Sequence, residues 1–220
     1  MSQPERQSVF LAGGTGYMGS RLAAMLLERG HEVRALTRIP SAARLPVGCH
    51  PVFGSAVGAG YDSHVPQECT FVHLVGVAHP SPAKAEQFRT VDLAALRVSV
   101  AAAVKAHARH FVFVSVAHPA PAMKAYIAVR QECEQIIHQG GLNATILRPW
   151  YVLGPGHRWP YLLLPMYWLM ERIPSTRESA LRLGLVTLPQ MLNALMAAVE
   201  NPCQGTRILD VAAIRRQQTL

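Results

Sequence analysis

The sequence has few charged residues, few cysteines and no long hydrophobic run. Only 15% of its 220 residues are Asp, Glu, Lys or Arg, whereas 50% are hydrophobic. A composition this apolar excludes an intrinsically disordered chain and supplies a large buried core. The longest strongly apolar run, residues 161–170, is about half as long as a transmembrane helix and contains Pro165. No membrane-spanning helix is therefore predicted.

The cysteines are too few and too widely spaced to indicate a zinc site or a disulfide framework. Cys49, Cys69, Cys133 and Cys203 form no C-x-x-C pair. Free thiols are typical of a reducing compartment. The first six residues are polar and lead directly into an apolar segment, which does not fit a secretory signal peptide. We therefore expect a cytoplasmic protein without a metal site.

Acidic residues are scarce as well, with 13 Asp and Glu against 21 Lys and Arg, which gives a net charge of +8. Such an excess occurs in proteins that bind nucleic acid. Here the basic residues are scattered, no run of five or more occurs, and no familiar nucleic-acid-binding module is present. We expect a basic surface, part of which serves an anionic cofactor, and no nucleic-acid partner.

Short apolar segments alternate with helical patterns along the chain. Strands are predicted at residues 8–12, 33–36, 51–53, 70–77, 110–116, 143–147 and 207–211, and helices at 16–29, 85–107, 122–139 and 188–200. This alternation indicates a parallel sheet covered by helices on both faces. Neither an internal repeat nor a low-complexity linker interrupts it, so we expect one domain over residues 1–220.

A glycine-rich turn joins the first predicted strand to the first predicted helix. It reads Gly13-Gly14-Thr15-Gly16-Tyr17-Met18-Gly19. In this spacing one glycine permits a tight turn with φ > 0, one lets the backbone approach a pyrophosphate, and one allows close helix–strand packing. The free N–H groups at the start of the helix bind the pyrophosphate. The turn predicts a Rossmann-type, doubly wound α/β fold that holds a dinucleotide on these seven residues.

The second predicted strand ends without an acidic residue. Proteins that prefer NAD usually place Asp or Glu there, whereas this chain has Thr37 and Arg38. A guanidinium binds a 2′-phosphate through charge-assisted hydrogen bonds, and a carboxylate would repel it. A solvated surface arginine is the alternative reading of Arg38. The sequence favours NADP(H) over NAD(H) as the cofactor.

With these motifs the chain resembles the short-chain dehydrogenase/reductase superfamily, in its atypical NmrA-like and complex I accessory-subunit-like branch. The resemblance covers residues 8–155 and is carried by GGTGYMG, VRALTR, FVHLVGV, HFVFVSV, Tyr126 with Arg130, and TILRPWYVLGPG. It implies that Leu74, Val75 and Gly76, after the fourth strand, line the nicotinamide ribose. It also implies that the segment from Pro149 onward lies beside the nicotinamide ring.

The resemblance further implies a catalytic site, where this sequence departs from the family pattern. Active members carry Tyr-x-x-x-Lys, in which the tyrosine transfers a proton and the lysine lowers its pKa and holds the ribose. Tyr126 and Arg130 occupy these positions here, on one helix face. Arginine keeps the positive charge but differs from lysine in shape and hydrogen bonding. Ser115 is the candidate hydroxyl, as a catalytic group or as a contact to the cofactor ribose, because Ala117 stands where the family's catalytic hydroxyl often lies.

An aromatic-rich segment occupies residues 150–185. All three tryptophans and three of the six tyrosines lie between Trp150 and Trp168. This segment is either the wall of a small C-terminal substrate region for a flat, apolar molecule, or ordinary core or a subunit contact. We therefore expect an NADP(H)-dependent oxidoreductase acting on a small apolar or aromatic substrate. The alternative, favoured by the missing lysine, is a non-catalytic NADP(H)-binding redox sensor, assembly factor or accessory subunit.

Overall fold

A computed structural model of the protein describes residues 5–120, 122–155 and 182–217. The strands, in chain order, are β1 (Ser8–Ala12), β2 (Glu32–Thr37), β3 (His50–Phe53), β4 (Thr70–His73), β5 (His110–Val114), β6 (Ala144–Leu147), β7 (Tyr151–Leu153), β8 (Leu185–Thr187) and β9 (Thr206–Leu209). The helices are α1 (Gly19–Glu28), α2 (Ala85–Gln87), α3 (Ala94–Lys105), α4 (Lys124–Gln139), α5 (Leu188–Glu200) and α6 (Val211–Arg216). A π-helix, Phe88–Leu93, joins α2 to α3.

The described strands form a seven-stranded sheet in the order β3-β2-β1-β4-β5-β6-β9, with every neighbouring pair parallel. The chain runs outward from β1 to β3 and then returns to place β4 on the other side of β1. Strands β7 and β8 form a separate parallel pair. This order confirms the predicted Rossmann-type, doubly wound fold. The reversal at β1 and β4 opens a crevice at their carboxyl ends, where such folds bind ligands.

Both faces of the sheet are buried along β1, β4, β5 and β6, which explains why these strands are almost continuously hydrophobic. Along β1, Val9 and Leu11 face one core and Phe10 and Ala12 face the other, and all four are fully buried. The first core packs against α1 and α5, and the second against α3 and α4. Burying a side chain such as Leu11 stabilises the fold by about 1.5–3 kcal/mol. This packing holds the ends of β1 and β4 in fixed positions.

Two strands end earlier than their hydrophobic runs predict. The predicted strand at 70–77 ends at His73, and farther along the same run the N–H of Val77 bonds to the side chain of Asp92 at 2.7 Å. The predicted strand at 110–116 ends at Val114. Leu74, Val75, Gly76 and Ser115 therefore lie in loops at the crevice. Apolar residues in these loops line a cavity, so hydrophobicity alone could not distinguish them from the residues of a buried strand.

Helix boundaries also differ from prediction. Helix α1 begins at Gly19, because the glycine turn occupies the three residues before it. Helix α4 begins at Lys124, after Met123 in a left-handed conformation with φ +60°. The predicted helix at 85–107 is interrupted by the π-helix and ends at Lys105. Strand β9 ends at Leu209, and helix α6, capped by the Asp210 side chain, was not predicted.

The aromatic segment falls mostly outside the described residues. At its start, Trp150 and Tyr151 pack edge to face with ring centroids 5.7 Å apart. Trp159, Tyr161, Tyr167 and Trp168 lie outside the described ranges. Within those ranges, no helix combines the length and apolar character needed to cross a membrane. The same ranges hold no group of three or more His, Cys, Asp or Glu side chains arranged to bind a metal ion.

Candidate cofactor and active site

The glycine turn at the carboxyl end of β1 has no space for side chains at its key positions. Gly13 has φ +92°, and a Cβ there would lie 2.9 Å from the carbonyl carbon of Leu74. A Cβ on Gly19 would collide with the carbonyl oxygen of Gly13, and one on Gly14 would lie 2.6 Å from the Cβ of Ala35. The N–H of Gly16 donates to the Gly13 carbonyl at 3.0 Å, which closes the turn. The turn therefore brings bare backbone to the crevice at the start of α1.

Three adjoining cavities form one trough along the carboxyl edge of the sheet. The first lies between the turn and the end of β2, and the second between the turn and the loop after β4. The third, of about 320 Å³, lies between the turn, the end of β5 and the start of the aromatic segment. Of the predicted site residues, those that line the trough are Gly13, Thr15, Gly16, Tyr17, Met18, Gly19, Thr37, Arg38, Leu74, Val75, Gly76, Ser115, Tyr126, Arg130 and Pro149. Gly14 instead packs against β2.

Arg38 lies at one end of the trough. Its side chain is exposed, and its guanidinium has no hydrogen bond or ion pair with any residue in the described ranges. Thr37 before it is buried and donates its hydroxyl to the Arg38 carbonyl at 3.1 Å. The N–H of Gly54 donates to the Thr37 carbonyl at 3.0 Å. This bond holds the end of β2 and the residue after β3 together at this end of the trough. Among the residues that the structure describes, Arg38 is thus a cation at the mouth of the trough without an anionic partner.

Helix α4 places Tyr126 and Arg130 on one face, as their spacing predicts. The guanidinium carbon of Arg130 lies 5.0 Å from the centre of the Tyr126 ring and 5.4 Å from that of Phe113. Tyr126 also packs against Phe88, with ring centroids 4.9 Å apart. The phenol is half-buried, whereas Arg130 is only 5% exposed. A positive charge therefore lies beside the phenol, inside the protein.

Arg130 is held by a buried carboxylate. One of its Nη atoms donates to Asp92 at 3.0 Å and the other to the Val114 carbonyl at 3.1 Å. The second oxygen of Asp92 accepts from the N–H of Val77 at 2.7 Å. A Cβ on Gly76 would lie 2.6 Å from Arg130. The Asp92–Arg130 pair therefore joins α4, the π-helix, the end of β5 and the loop that lines the trough.

The charges of this pair depend on each other. Burial raises the pKa of Asp92, while Arg130 and the Val77 N–H oppose the rise. Burial alone would lower the pKa of Arg130, but Tyr126 and Asp92 beside it raise that pKa above its ordinary value. Arg130 therefore stays charged, and the carboxylate compensates a cation that would otherwise be buried alone.

Ser115 belongs to a second polar cluster, on the far side of the Tyr126 cavity. Its hydroxyl donates to Glu134 at 2.5 Å, and Arg148 donates to both oxygens of Glu134, at 3.0 and 2.5 Å. The Nε2 of His118 lies 3.7 Å from the same carboxylate. Burial and the nearby Arg148 lower the pKa of His118 although Glu134 opposes them, so this ring is neutral at pH 7. Ser115 itself is 3% exposed and lines the cavity that contains Tyr126.

Sequence reasoning did not single out Asp92 and Glu134. Asp92 pairs with Arg130, which is 38 residues away along the chain. Glu134 pairs with Arg148, which follows a different element, β6. A usable signal existed, because an arginine on an apolar helix face needs a buried anion. The sequence alone offered no means of choosing among the 13 acidic residues.

The parallel sheet, the glycine turn and the trough define a Rossmann-type protein that binds NAD(P). The chain belongs to the NAD(P)H-binding family, whose model matches residues 13–157. The match runs from the first glycine of the turn to the start of the aromatic segment.

Among curated proteins, the chain is similar to two reductases and a dehydrogenase. It is 25% identical over 167 residues to a 4-hydroxy-2-methyl-3-oxo-4-farnesyl-3,4-dihydroquinoline-1-oxide ketoreductase of Stigmatella aurantiaca, a match that covers 66% of this chain and 50% of that protein. It is 25% identical over 227 residues to a ceramide reductase of Caulobacter vibrioides, covering 98% and 68%. A 50-residue match to a 3-beta-hydroxysteroid dehydrogenase of Mycolicibacterium neoaurum reaches 46% identity but covers 23% and 13%. The chain thus spans half or less of the length of two of these relatives.

Solved structures share the fold at low identity. The Bordetella bronchiseptica enzyme WbmH in complex with NAD+ superposes with a TM-score of 0.70 at 21% identity, over 94% of this chain and 76% of that one. The Thermus thermophilus UDP-glucose 4-epimerase complex with NAD gives 0.67 at 16% identity, over 94% and 81%. This likeness establishes the fold and leaves the substrate to chemical argument.

Proposed function

We propose that the protein is an NADP(H)-dependent oxidoreductase that interconverts a small apolar or aromatic carbonyl compound and its alcohol. One observation carries the proposal. A single trough runs from a turn whose glycines have no space for side chains to a cavity that contains the phenol of Tyr126, with the buried cation of Arg130 beside it. A dinucleotide on the turn brings its nicotinamide end towards this phenol.

Different residues of the trough contact different parts of the dinucleotide in this proposal. Backbone N–H groups between Thr15 and Gly19, other than that of Gly16, which donates to Gly13, hold the pyrophosphate at the positive end of α1. Arg38 binds the 2′-phosphate, and Leu74, Val75 and Gly76 line the ribose near the nicotinamide. Pro149 packs beside the nicotinamide ring. We also propose that residues 1–220 form one domain, located in the cytoplasm, with residues 150–185 as its substrate region.

Tyr126 is the proposed acid and base. The bound cofactor supplies or receives a hydride. In the reductive direction the Tyr126 hydroxyl gives its proton to the carbonyl oxygen, and the charge of Arg130 stabilises the phenolate that remains. Because arginine stays protonated in proteins, Arg130 acts as a fixed charge and does not pass on a proton. The phenolate regains its proton from water.

The cavity at Tyr126 favours a flat, apolar substrate. Its walls include Tyr17, Trp150, Tyr151 and Val152, and the aromatic rings offer broad surfaces for a planar molecule. The ketoreductase and the ceramide reductase named above support a reductase reading in general terms. The alternative, a non-catalytic NADP(H)-binding protein, is favoured by Arg130, because an arginine already bound by Asp92 cannot take over every contact of the family's lysine.

Replacing Tyr126 by Phe tests the proposed chemistry. We expect kcat with NADPH and a panel of quinones and aromatic ketones to fall by at least about 100-fold, since a positioned proton donor contributes that much. NADPH affinity, measured by titration calorimetry, should be retained. Turnover that survives the substitution would remove Tyr126 from the mechanism. If the unaltered protein binds NADPH tightly and turns over no compound in the panel, the non-catalytic alternative is supported.

Replacing Arg38 by Asp tests the choice of cofactor. We expect the Kd for NADPH to rise by about 10- to 150-fold, because a charge-assisted contact contributes about 1.5–3 kcal/mol, while the Kd for NADH changes little. Arg44→Asp is the matched control. Arg44 is exposed at the end of the short 3-10 helix Ile39–Arg44 that follows Arg38, and it lies outside the residues that line the trough. Equal losses for both nucleotides, or an equal effect of Arg44→Asp, would disprove the role of Arg38.

A further inference from the structure

Behind the Tyr126 cavity lies a carboxylate that the proposed cofactor contacts do not use. Glu134 is on α4, eight residues after Tyr126, and its side chain is 11% exposed. It accepts a hydrogen bond from the Ser115 hydroxyl at 2.5 Å and two hydrogen bonds from the guanidinium of Arg148. Ser115 follows β5 and Arg148 follows β6, so Glu134 links the helix to two neighbouring strand ends.

These contacts determine where the Ser115 proton points. A carboxylate paired with arginine stays ionised and can only accept hydrogen bonds. The short distance between Ser115 and Glu134 is typical of a strong charge-assisted bond. The hydroxyl proton therefore lies on the Glu134 side, away from the cavity. Ser115 lines the cavity, so an oxygen whose proton is bound to Glu134 offers a ligand only its lone pairs.

We propose that Glu134 is a positioning residue that fixes Ser115 as a hydrogen-bond acceptor, so that the cavity recognises a ligand hydroxyl. This inference rests on the proposed function and refines its substrate to the pair of a ketone and its secondary alcohol. Tyr126, not Ser115, then protonates the carbonyl oxygen. Bound NADPH would supply the hydride to the carbonyl carbon, Tyr126 gives its proton to the oxygen, and the new O–H donates to Ser115.

Steady-state kinetics in both directions test the inference with acetophenone and 1-phenylethanol as probes. Ser115→Ala should raise the KM for the alcohol by about 3- to 10-fold, which corresponds to one lost hydrogen bond, and leave the KM for the ketone unchanged. Glu134→Gln should shift the same KM in the same direction. The double variant should be no worse than Ser115→Ala, because Glu134 acts through Ser115.

Glu132→Gln provides the matched control. Glu132 is on the same helix but faces the surface, where it pairs with Arg97 at 3.0 Å and Arg89 at 3.7 Å. It should leave both KM values unchanged. Equal losses for ketone and alcohol, or additive losses in the double variant, would overturn the inference.

A neutron structure of the deuterated protein tests the hydrogen position without any turnover. We expect deuterium between Ser115 Oγ and Glu134. Deuterium directed from Ser115 into the cavity would overturn the inference. This measurement separates the two claims, because absence of turnover with either probe counts against the proposed function, whereas the deuterium position decides the role of Glu134.

Discussion

Asp92→Asn is expected to lower the free energy of unfolding by about 3–5 kcal/mol, because it leaves the buried guanidinium of Arg130 without its counter-charge. Asp92 is 1% exposed and Arg130 5% exposed, so water cannot replace the lost carboxylate. The substitution keeps the shape of the side chain, which confines the effect to charge and hydrogen bonding. Equilibrium urea denaturation, followed by circular dichroism, measures the loss.

Asp62→Asn is the control for this prediction. Asp62 pairs with Lys105 at 2.5 Å, but both side chains reach solvent, with 33% and 65% exposed. Exposed pairs contribute little to stability, because solvent screens them, so this variant should be nearly as stable as the unaltered protein. Similar losses for the two variants would show that Asp92 does not compensate a buried charge.

The Asp92→Asn substitution should also weaken cofactor binding. Asp92 accepts a hydrogen bond from Val77, and Arg130 packs under Gly76, so the pair holds the loop after β4. We expect NADPH affinity to fall in Asp92→Asn even at temperatures where the protein remains folded. The Asp92–Arg130 pair is thus a structural support of the trough as well as the source of charge beside Tyr126.

Gly19→Ala is expected to raise the Kd for NADPH by about 10- to 150-fold, since one lost hydrogen bond to the charged pyrophosphate costs about 1.5–3 kcal/mol. The added methyl group would collide with the carbonyl oxygen of Gly13, which is itself rigid backbone. The turn and the start of α1 must separate, and the N–H groups that face the pyrophosphate move with them. Titration calorimetry with NADPH measures the change.

Gly30→Ala separates this effect from general instability. Gly30 also has a positive φ, +84°, at the end of α1, but a Cβ there would meet no atom within 4 Å. Its substitution should cost stability through backbone strain and leave NADPH affinity unchanged. If Gly30→Ala weakened NADPH binding as much as Gly19→Ala, the steric account of the turn would fail.

The parts of the fold that could be predicted from the sequence are those with local causes. The apolar run of β1, the glycine turn and the amphipathic α1 follow one another within about 20 residues, so spacing alone indicates the βα unit. The parallel sheet follows from the alternation of strands and helices. The shared face of Tyr126 and Arg130 follows from helical geometry.

The remaining features depend on contacts between distant segments. Asp92 and Arg130 are 38 residues apart. Val77, which hydrophobicity places in a strand, lies after the end of β4 and bonds to Asp92. The π-helix that presents Asp92 leaves no mark in the apolar periodicity. The sequence predicted a positive charge near Tyr126, but only the packing shows that a carboxylate already binds it.

A crystal structure of the protein with NADP+ bound is the most direct test of the central claim. We predict that the pyrophosphate contacts the N–H groups between Thr15 and Gly19, that the 2′-phosphate lies at Arg38, and that the nicotinamide lies between Pro149 and Tyr126. A dinucleotide bound elsewhere, or none at saturating concentration, would contradict the account.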